Sequence, residues 1–251
     1  LEQRYPNFNG LNLTWETIEG TVKHNGPLIE VEGAKSLPRE VREYNLQNDL
    51  MLDTFASGEA QVAALADDIA YNNHDIDDGL RASLFRMEAL FDIPIVGNFF
   101  LNSIRKGVEI SESLQRHGVV RDLIGYMVDD CLTASKQKIK ESNIKTADDI
   151  RALSYPIVSF SENMHEIDRH LKDFLFNNMY RHDRVCRMTE KASLVVKELF
   201  SLLLEEPNNL PPEWREKVSG DSEEQKAKIV ADYIAGMTDR FAYEEHAKLI
   251  S

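Results

Sequence analysis

Cysteine is nearly absent: Cys131 and Cys186 are the only two in 251 residues. So few, so far apart, supply neither a disulfide framework nor a cysteine-built zinc site, and a reducing, cytoplasmic location is expected. Positive charge is also short, with 29 Lys and Arg against 43 Asp and Glu and a formal net charge of −14. Proteins that hold nucleic acid or anionic membranes nonspecifically concentrate positive charge, so neither partner is expected. Long apolar runs are missing too. The most apolar stretch, Leu90 to Leu101, is broken by Asp92, Pro94, Gly97 and Asn98, and it falls short of the roughly 20 residues that cross a bilayer.

No secretory signal opens the chain, and its first residues, Leu1 to Tyr5, read as the middle of a longer protein, so an upstream segment is expected. No Walker A loop or dinucleotide glycine fingerprint occurs, and no serine or cysteine has an elbow or a paired base nearby. Any nucleophile is then a water activated by a metal or a general base. What the chain does have is 42% apolar residues, enough for a packed core.

No segment alternates apolar and polar residues for long, and the spacing predicts an all-α fold. A first helix is expected from about Leu13 to Asn25, ended by Asn25-Gly26-Pro27 through a left-handed glycine and a proline. A loop to Pro38, a short helix from Arg39 to Asp49, and a long helix from an N-cap at Ser57 to about Phe91 follow, the last weakened at Gly79. Helices from Asn98 to His117 and from Val119 to Glu141 are expected to be divided by a glycine cap at Gly118. Thr146 starts another. Ser154-Tyr155-Pro156 breaks the chain before a long pattern from Val158 to Glu206, whose bend belongs near Tyr180 to Asp183. Pro207 to Ser222 reads as a loop. Ser222 and Gln225 form a capping box for a last helix burying Val230, Tyr233, Ile234, Met237 and Phe241. No repeat or low-complexity linker appears, so residues 1–251 are taken as one unit.

On a helical wheel Asp67, Tyr71, His74, Asp75 and Asp78 fall within about 100° of one another. Val62, Leu65, Ile69, Ile76 and Leu80 lie opposite, with Ala63, Ala66 and Ala70 on a flank. Such a stripe is read in two ways. It is the solvated face of an amphipathic helix, or Asp67 is a hard oxygen ligand for a divalent metal, with Asp75 about 12 Å further along the axis, the scale of a nucleotide. One carboxylate is not a metal site, and further ligands have to come from elsewhere.

The run Glu59-Ala60-Gln61-Val62-Ala63-Ala64-Leu65-Ala66-Asp67-Asp68-Ile69-Ala70-Tyr71-Asn72-Asn73-His74-Asp75-Ile76-Asp77-Asp78-Gly79-Leu80 resembles the signature of bacterial dGTPase-like deoxynucleoside triphosphate triphosphohydrolases of the HD-domain superfamily. Gly10 to Thr14 with Val22 to Pro27, Asn178 to His182, and Asp232 to Arg240 agree in the same order, so the similarity covers nearly the whole chain. The resemblance implies an HD-domain-like helical bundle with additional C-terminal helices. It implies a metal-dependent hydrolase that cuts a deoxynucleoside triphosphate to deoxynucleoside and tripolyphosphate, with a divalent ion, magnesium or manganese, as cofactor and a homo-oligomer as the assembly. Carried over residue by residue, Asp67 matches a metal-binding aspartate, Tyr71 a residue packed on the deoxyribose, Asp75 one that contacts the 3′ hydroxyl, and Lys23 a phosphate-contacting lysine. The histidine, the His-Asp pair and the proton-transfer residues of such enzymes lie upstream of what is present here. His74-Asp75 and His182-Asp183 lack the context of that pair. No catalytic residue is therefore expected within this segment, which should be inactive alone.

His24, beside Lys23, suits either a phosphate or the C-terminal end of a helix. Arg181, His182 and Arg184, and separately Arg240, suit phosphate or acidic partners at a subunit contact. The alternative function, from another class, is a noncatalytic nucleotide-sensing or assembly protein of the same fold.

Overall fold

The computed structural model describes residues 11–28, 37–105, 111–218 and 222–250. Leu1 to Tyr5, Gly10, part of the loop before Pro38, part of the 98–117 helix and the Gly220-Asp221 break lie outside the described residues. Among the described residues there is no strand, and the all-α helical bundle is as expected. No helix in them is long and apolar enough to cross a membrane. The chain forms two compact units, Leu1–Met179 and Tyr180–Ser251.

Polar caps set most helix starts in the first unit. Thr14 accepts from the Thr17 N–H to begin α1, Trp15–Lys23, and the chain leaves it through Gly26 at φ +105°, the left-handed turn that Asn-Gly-Pro calls for. After α2, Arg39–Gln47, Ser57 caps α3, Gly58–Arg81. This helix ends ten residues before the expected Phe91, because Leu84 to Phe91 turn back and fold a 3-10 turn, Met87–Leu90, against it. Gly79 is the reason they can. A Cβ there would stand 2.3 Å from the Phe85 ring, so the glycine is a seat for an aromatic and not a weak point in the helix.

α4, Val96–Arg105, leads to α5, Glu112–Glu141, which Ser111 caps. α5 runs through Gly118 without a break, contrary to the expected division. Gly118 keeps a helical backbone because Val119, Val120, Leu123 and Met127, the residues that follow it on α5, are buried, and packing outweighs the roughly 1 kcal/mol that a helical glycine costs. The Thr146–Asp149 capping box opens α6, Ala147–Arg151, and Ser161, not Val158, opens α7, Glu162–Leu175. Ile69, Ile76, Leu90, Phe100, Leu123, Met164 and Leu171 centre the core that α3, α4, α5 and α7 enclose. α1 crosses α3 closely, with Gly20 against Ala60. Val62, expected inside, is 53% exposed.

A π-helical turn, Phe176–Tyr180, ends α7, and His182 caps α8, Asp183–Glu205, so the long helical pattern is interrupted near Tyr180 to Asp183. The second unit packs Val195, Leu199 and Leu203 of α8 against Leu210, Val230, Tyr233 and Ile234. The expected loop from Pro207 contains α9, Pro212–Val218, whose Trp214 ring packs against Tyr233 with centroids 5.4 Å apart and planes tilted by 54°. Ser222 and Gln225 make their capping box for α10, Glu223–Ala235. The chain then breaks at Gly236 to Thr238 and resumes as α11, Asp239–Ile250, which leaves Phe241 41% exposed instead of buried. His246 Nε2 meets Glu198 Oε2 at 2.5 Å and ties α11 to α8.

The two glycines give opposite expectations. Gly79→Ala drives a methyl into Phe85 and should destabilise by about 1–3 kcal/mol. Gly118→Ala enters open space and should stabilise by roughly 0.5–1 kcal/mol. Urea unfolding of both variants checks this, and a destabilised Gly118→Ala would contradict the continuous α5.

Candidate functional site

A cleft of about 1070 Å³ opens between α1, α3 and the segment from Ala147 to Val158, with His24, Asp67, Asp68 and Arg151 on its walls. Its floor is built around charge taken out of water. Glu19 is fully buried, and the Arg151 guanidinium grips it with two parallel hydrogen bonds of 2.9 Å. Arg151 also reaches Asp148 at 2.8 Å and lies over the Trp15 ring at 5.0 Å. A bidentate pair of this kind is among the strongest polar contacts a protein makes. Lys23, one turn after Glu19, adds its ammonium at 3.0 Å. Burial works to raise the Glu19 pKa, but the hydrogen bonds from Arg151 and Lys23 outweigh it and hold the carboxyl below its ordinary range.

The Lys23 ammonium is directed inward. It donates to Met51 O at 2.8 Å, Thr54 Oγ1 at 2.9 Å and Phe55 O at 3.4 Å, and burial pushes its pKa down. A phosphate contact from Lys23 would require it to leave these partners. His24 is the basic group that stands at the rim. Its Nδ1 lies 3.0 Å from Thr21 O, an acceptor, so that nitrogen carries the proton and Nε2 accepts from Asn25 at 3.1 Å.

Along α3 the expected stripe faces outward: Asp67, Tyr71 and His74 are exposed and Asp75 is half-buried. Asp67 opens onto the cleft and makes no hydrogen bond or ion pair among the described residues. Tyr71 and Asp75 follow one and two turns further along the same helix, beyond the cleft wall. Asp68 is engaged instead, with Lys172 Nζ at 2.5 Å. Three buried amides hold the helix. Gln61 accepts from the Ile157 and Val158 N–H groups at 2.8 and 3.1 Å, Asn72 donates to Asp168 at 3.0 Å, and Asn73 donates to Ile69 O and Met127 Sδ.

The sequence alone assigns no role to Glu19, Arg151, Gln61, Asn72, Asp168 or Lys172. The i,i+4 spacings of Glu19 with Lys23 and of Asp168 with Lys172 were the available signals. Among the described residues no group of three or more His, Cys, Asp and Glu side chains converges to hold a metal ion, so Asp67 does not by itself make a metal centre. His182 caps α8 with its Nδ1 at 3.2 Å from the Arg184 N–H, and Arg240 pairs with Glu244 at 2.8 Å.

Residues 158–248 match a phosphohydrolase-associated domain. Over 250 residues the chain is 50% identical to a deoxyguanosinetriphosphate triphosphohydrolase-like protein of Parvibaculum lavamentivorans, a match covering 99% of this chain and 63% of that protein. It is 47% identical over 249 residues to one of Caulobacter vibrioides, covering 99% and 63%, and 41% identical over 251 residues to one of Rickettsia prowazekii, covering 100% and 64%. The chain thus spans a little under two thirds of the length of these relatives.

The buried node has a signed pH dependence. Because the folded Glu19 pKa is lowered, its contribution to stability is present above the unfolded value of about 4.3 and is lost as pH falls through the folded one. Glu19→Gln should cost about 3 kcal/mol at pH 7 by leaving buried cations unpaired. It should also remove this part of the acid lability. Denaturant unfolding at pH 7 and at a series of pH values falling well below 4 checks both, and parallel losses in parent and variant across that series would contradict the assignment.

Proposed function

We propose that this chain, a homologue along essentially its whole length of the deoxyguanosinetriphosphate triphosphohydrolase-like proteins, is the part of a deoxynucleoside triphosphate triphosphohydrolase that carries the sugar side of the substrate site. In the complete protein the reaction is hydrolysis of a deoxynucleoside triphosphate to deoxynucleoside and tripolyphosphate. Asp67 supplies one ligand to a divalent ion, magnesium or manganese, and the remaining ligands come from residues other than those described. The segment alone is inactive on this reading. Homo-oligomeric assembly and a cytoplasmic location belong to the same proposal.

The observation that carries it is the outward stripe of α3. Asp67 presents an unengaged carboxylate to a nucleotide-sized cleft, and Tyr71, 57% exposed, offers a ring face one turn on. Asp75 stands about 12 Å from Asp67 along the axis, where a carboxylate can accept from a sugar hydroxyl. An aromatic face excludes a 2′ hydroxyl by contact, and a carboxylate left without its hydroxyl loses a charge-assisted bond.

Asp67→Ala in the complete protein should abolish turnover while shifting stability by less than about 1 kcal/mol, because the side chain is exposed and unpaired. Retained turnover removes it from the ligand set. Tyr71→Ala should weaken the preference for deoxyribose over ribose substrates. Asp75→Asn should weaken the preference for a 3′ hydroxyl over a 3′-deoxy substrate by about tenfold. Steady-state kinetics on matched substrate pairs reads both, and unchanged ratios contradict the sugar-site assignment.

A further inference from the structure

Asp67 and Asp68 are adjacent and chemically identical, yet only one is left free at the cleft. Asp68 Oδ2 accepts from Lys172 Nζ at 2.5 Å, and the same ammonium reaches Asp168 Oδ2 at 2.8 Å. The other oxygen of Asp168 accepts from Asn72 Nδ2 at 3.0 Å. Asn72 stands one turn after Asp68 on α3, and Lys172 one turn after Asp168 on α7, so four side chains form a run of contacts, Asp68–Lys172–Asp168–Asn72, across the two helices. Asn72 and Asp168 are buried, while Lys172 and Asp68 are 42% and 44% exposed. Burial pulls the Lys172 pKa down, but hydrogen bonds to Asp168 and Asp68 outweigh it and raise the value. The ammonium is charged at any working pH.

We propose that Lys172 is a positioning residue for the cleft: it neutralises Asp68 and binds it to α7, which leaves Asp67 as the one carboxylate of the pair offered to a polyphosphate and its counter-ion. This rests on the function proposed above. Without the cation, two neighbouring carboxylates would face the polyanion, with Glu16 and Glu59 on the same walls. Like charges at this range repel, and salt screens them. A run of contacts that served only to join helices would have no such dependence on charge. Lys172 acts through Asp68 and does not itself line the cleft.

The test uses inorganic tripolyphosphate titrated calorimetrically into the complete protein with magnesium present, so binding is read whether or not a nucleotide is cleaved. Lys172→Met should weaken binding by about tenfold, and the loss should shrink in high salt. Lys172→Arg should bind as the parent does. Asp68→Asn added to Lys172→Met should restore affinity to within about twofold, since the unneutralised charge on the cleft wall is then gone, Asp168 lying off that wall. A tie that is only structural cannot be rescued this way, because the second change removes its other half. If Lys172→Met does not fold, Asp68→Asn alone decides: binding at least as tight as the parent supports the proposal, and weaker binding overturns it. Unchanged binding by Lys172→Met, a double variant no better than it, or no binding by the parent would also overturn it. A parent that binds tripolyphosphate but cleaves no deoxynucleoside triphosphate would sink the hydrolase reading and leave the role of Lys172 standing.

Discussion

The rotation of α3 about its own axis is the constraint on which the candidate site depends. Three amides, buried where an unmade hydrogen bond costs about 1–3 kcal/mol each, fix that rotation from three directions. Gln61 holds the helix start to the backbone at Ile157 and Val158, Asn72 holds its middle to Asp168 on α7, and Asn73 faces Met127 on α5. Turning α3 by one residue, about 100°, would break all three and carry Asp67 away from the cleft. Among the described residues Asn73 Oδ1 has no partner, which marks the α5 side as the least complete of the three. The apolar side agrees, since Ile69 and Ile76 are buried on the face away from Asp67.

Charge is distributed on the same principle. In an acidic protein the cations near the cleft are mostly committed to carboxylates: Arg151 and Lys23 to Glu19, Lys172 to Asp68 and Asp168. Such pairs are weak evidence for net stability, because desolvation offsets much of their attraction. Their effect here is on which groups stay free. Of the adjacent Asp67 and Asp68, Asp67 is the one that stays free at the cleft, and the outward stripe of Tyr71 and Asp75 continues from it along the helix.

Local signals were legible in the sequence, and those that depend on distant partners were not. Ser57, Thr146 and Ser222 cap helices because a hydroxyl needs only a backbone N–H two or three residues on. The left-handed Gly26 and the helix interruption near Tyr180 are equally local. Gly118 misled because glycine looks the same at a helix end and inside one, and only the burial of its neighbours decides. Gly79 misled in the other sense, since its seat for Phe85 depends on a chain reversal that the helical spacing does not show. The resemblance matches Lys23 to a phosphate-contacting lysine, and in this structure its ammonium donates to the backbone oxygens of residues 51 and 55. The Glu19–Arg151 grip joins positions 132 apart, a pairing that no periodicity reports. The stripe itself was readable because it lies on one helix, and on the opposite face Val62 is the exception, 53% exposed where the wheel places it inside.

The most direct measurement is the phosphate product. Phosphorus NMR on the complete protein, incubated with each deoxynucleoside triphosphate and magnesium or manganese, should show tripolyphosphate appearing in step with free deoxynucleoside. Pyrophosphate or orthophosphate as the first product would mean a different hydrolase, and no product with any of the four substrates would mean a nucleotide-sensing or assembly role for this fold.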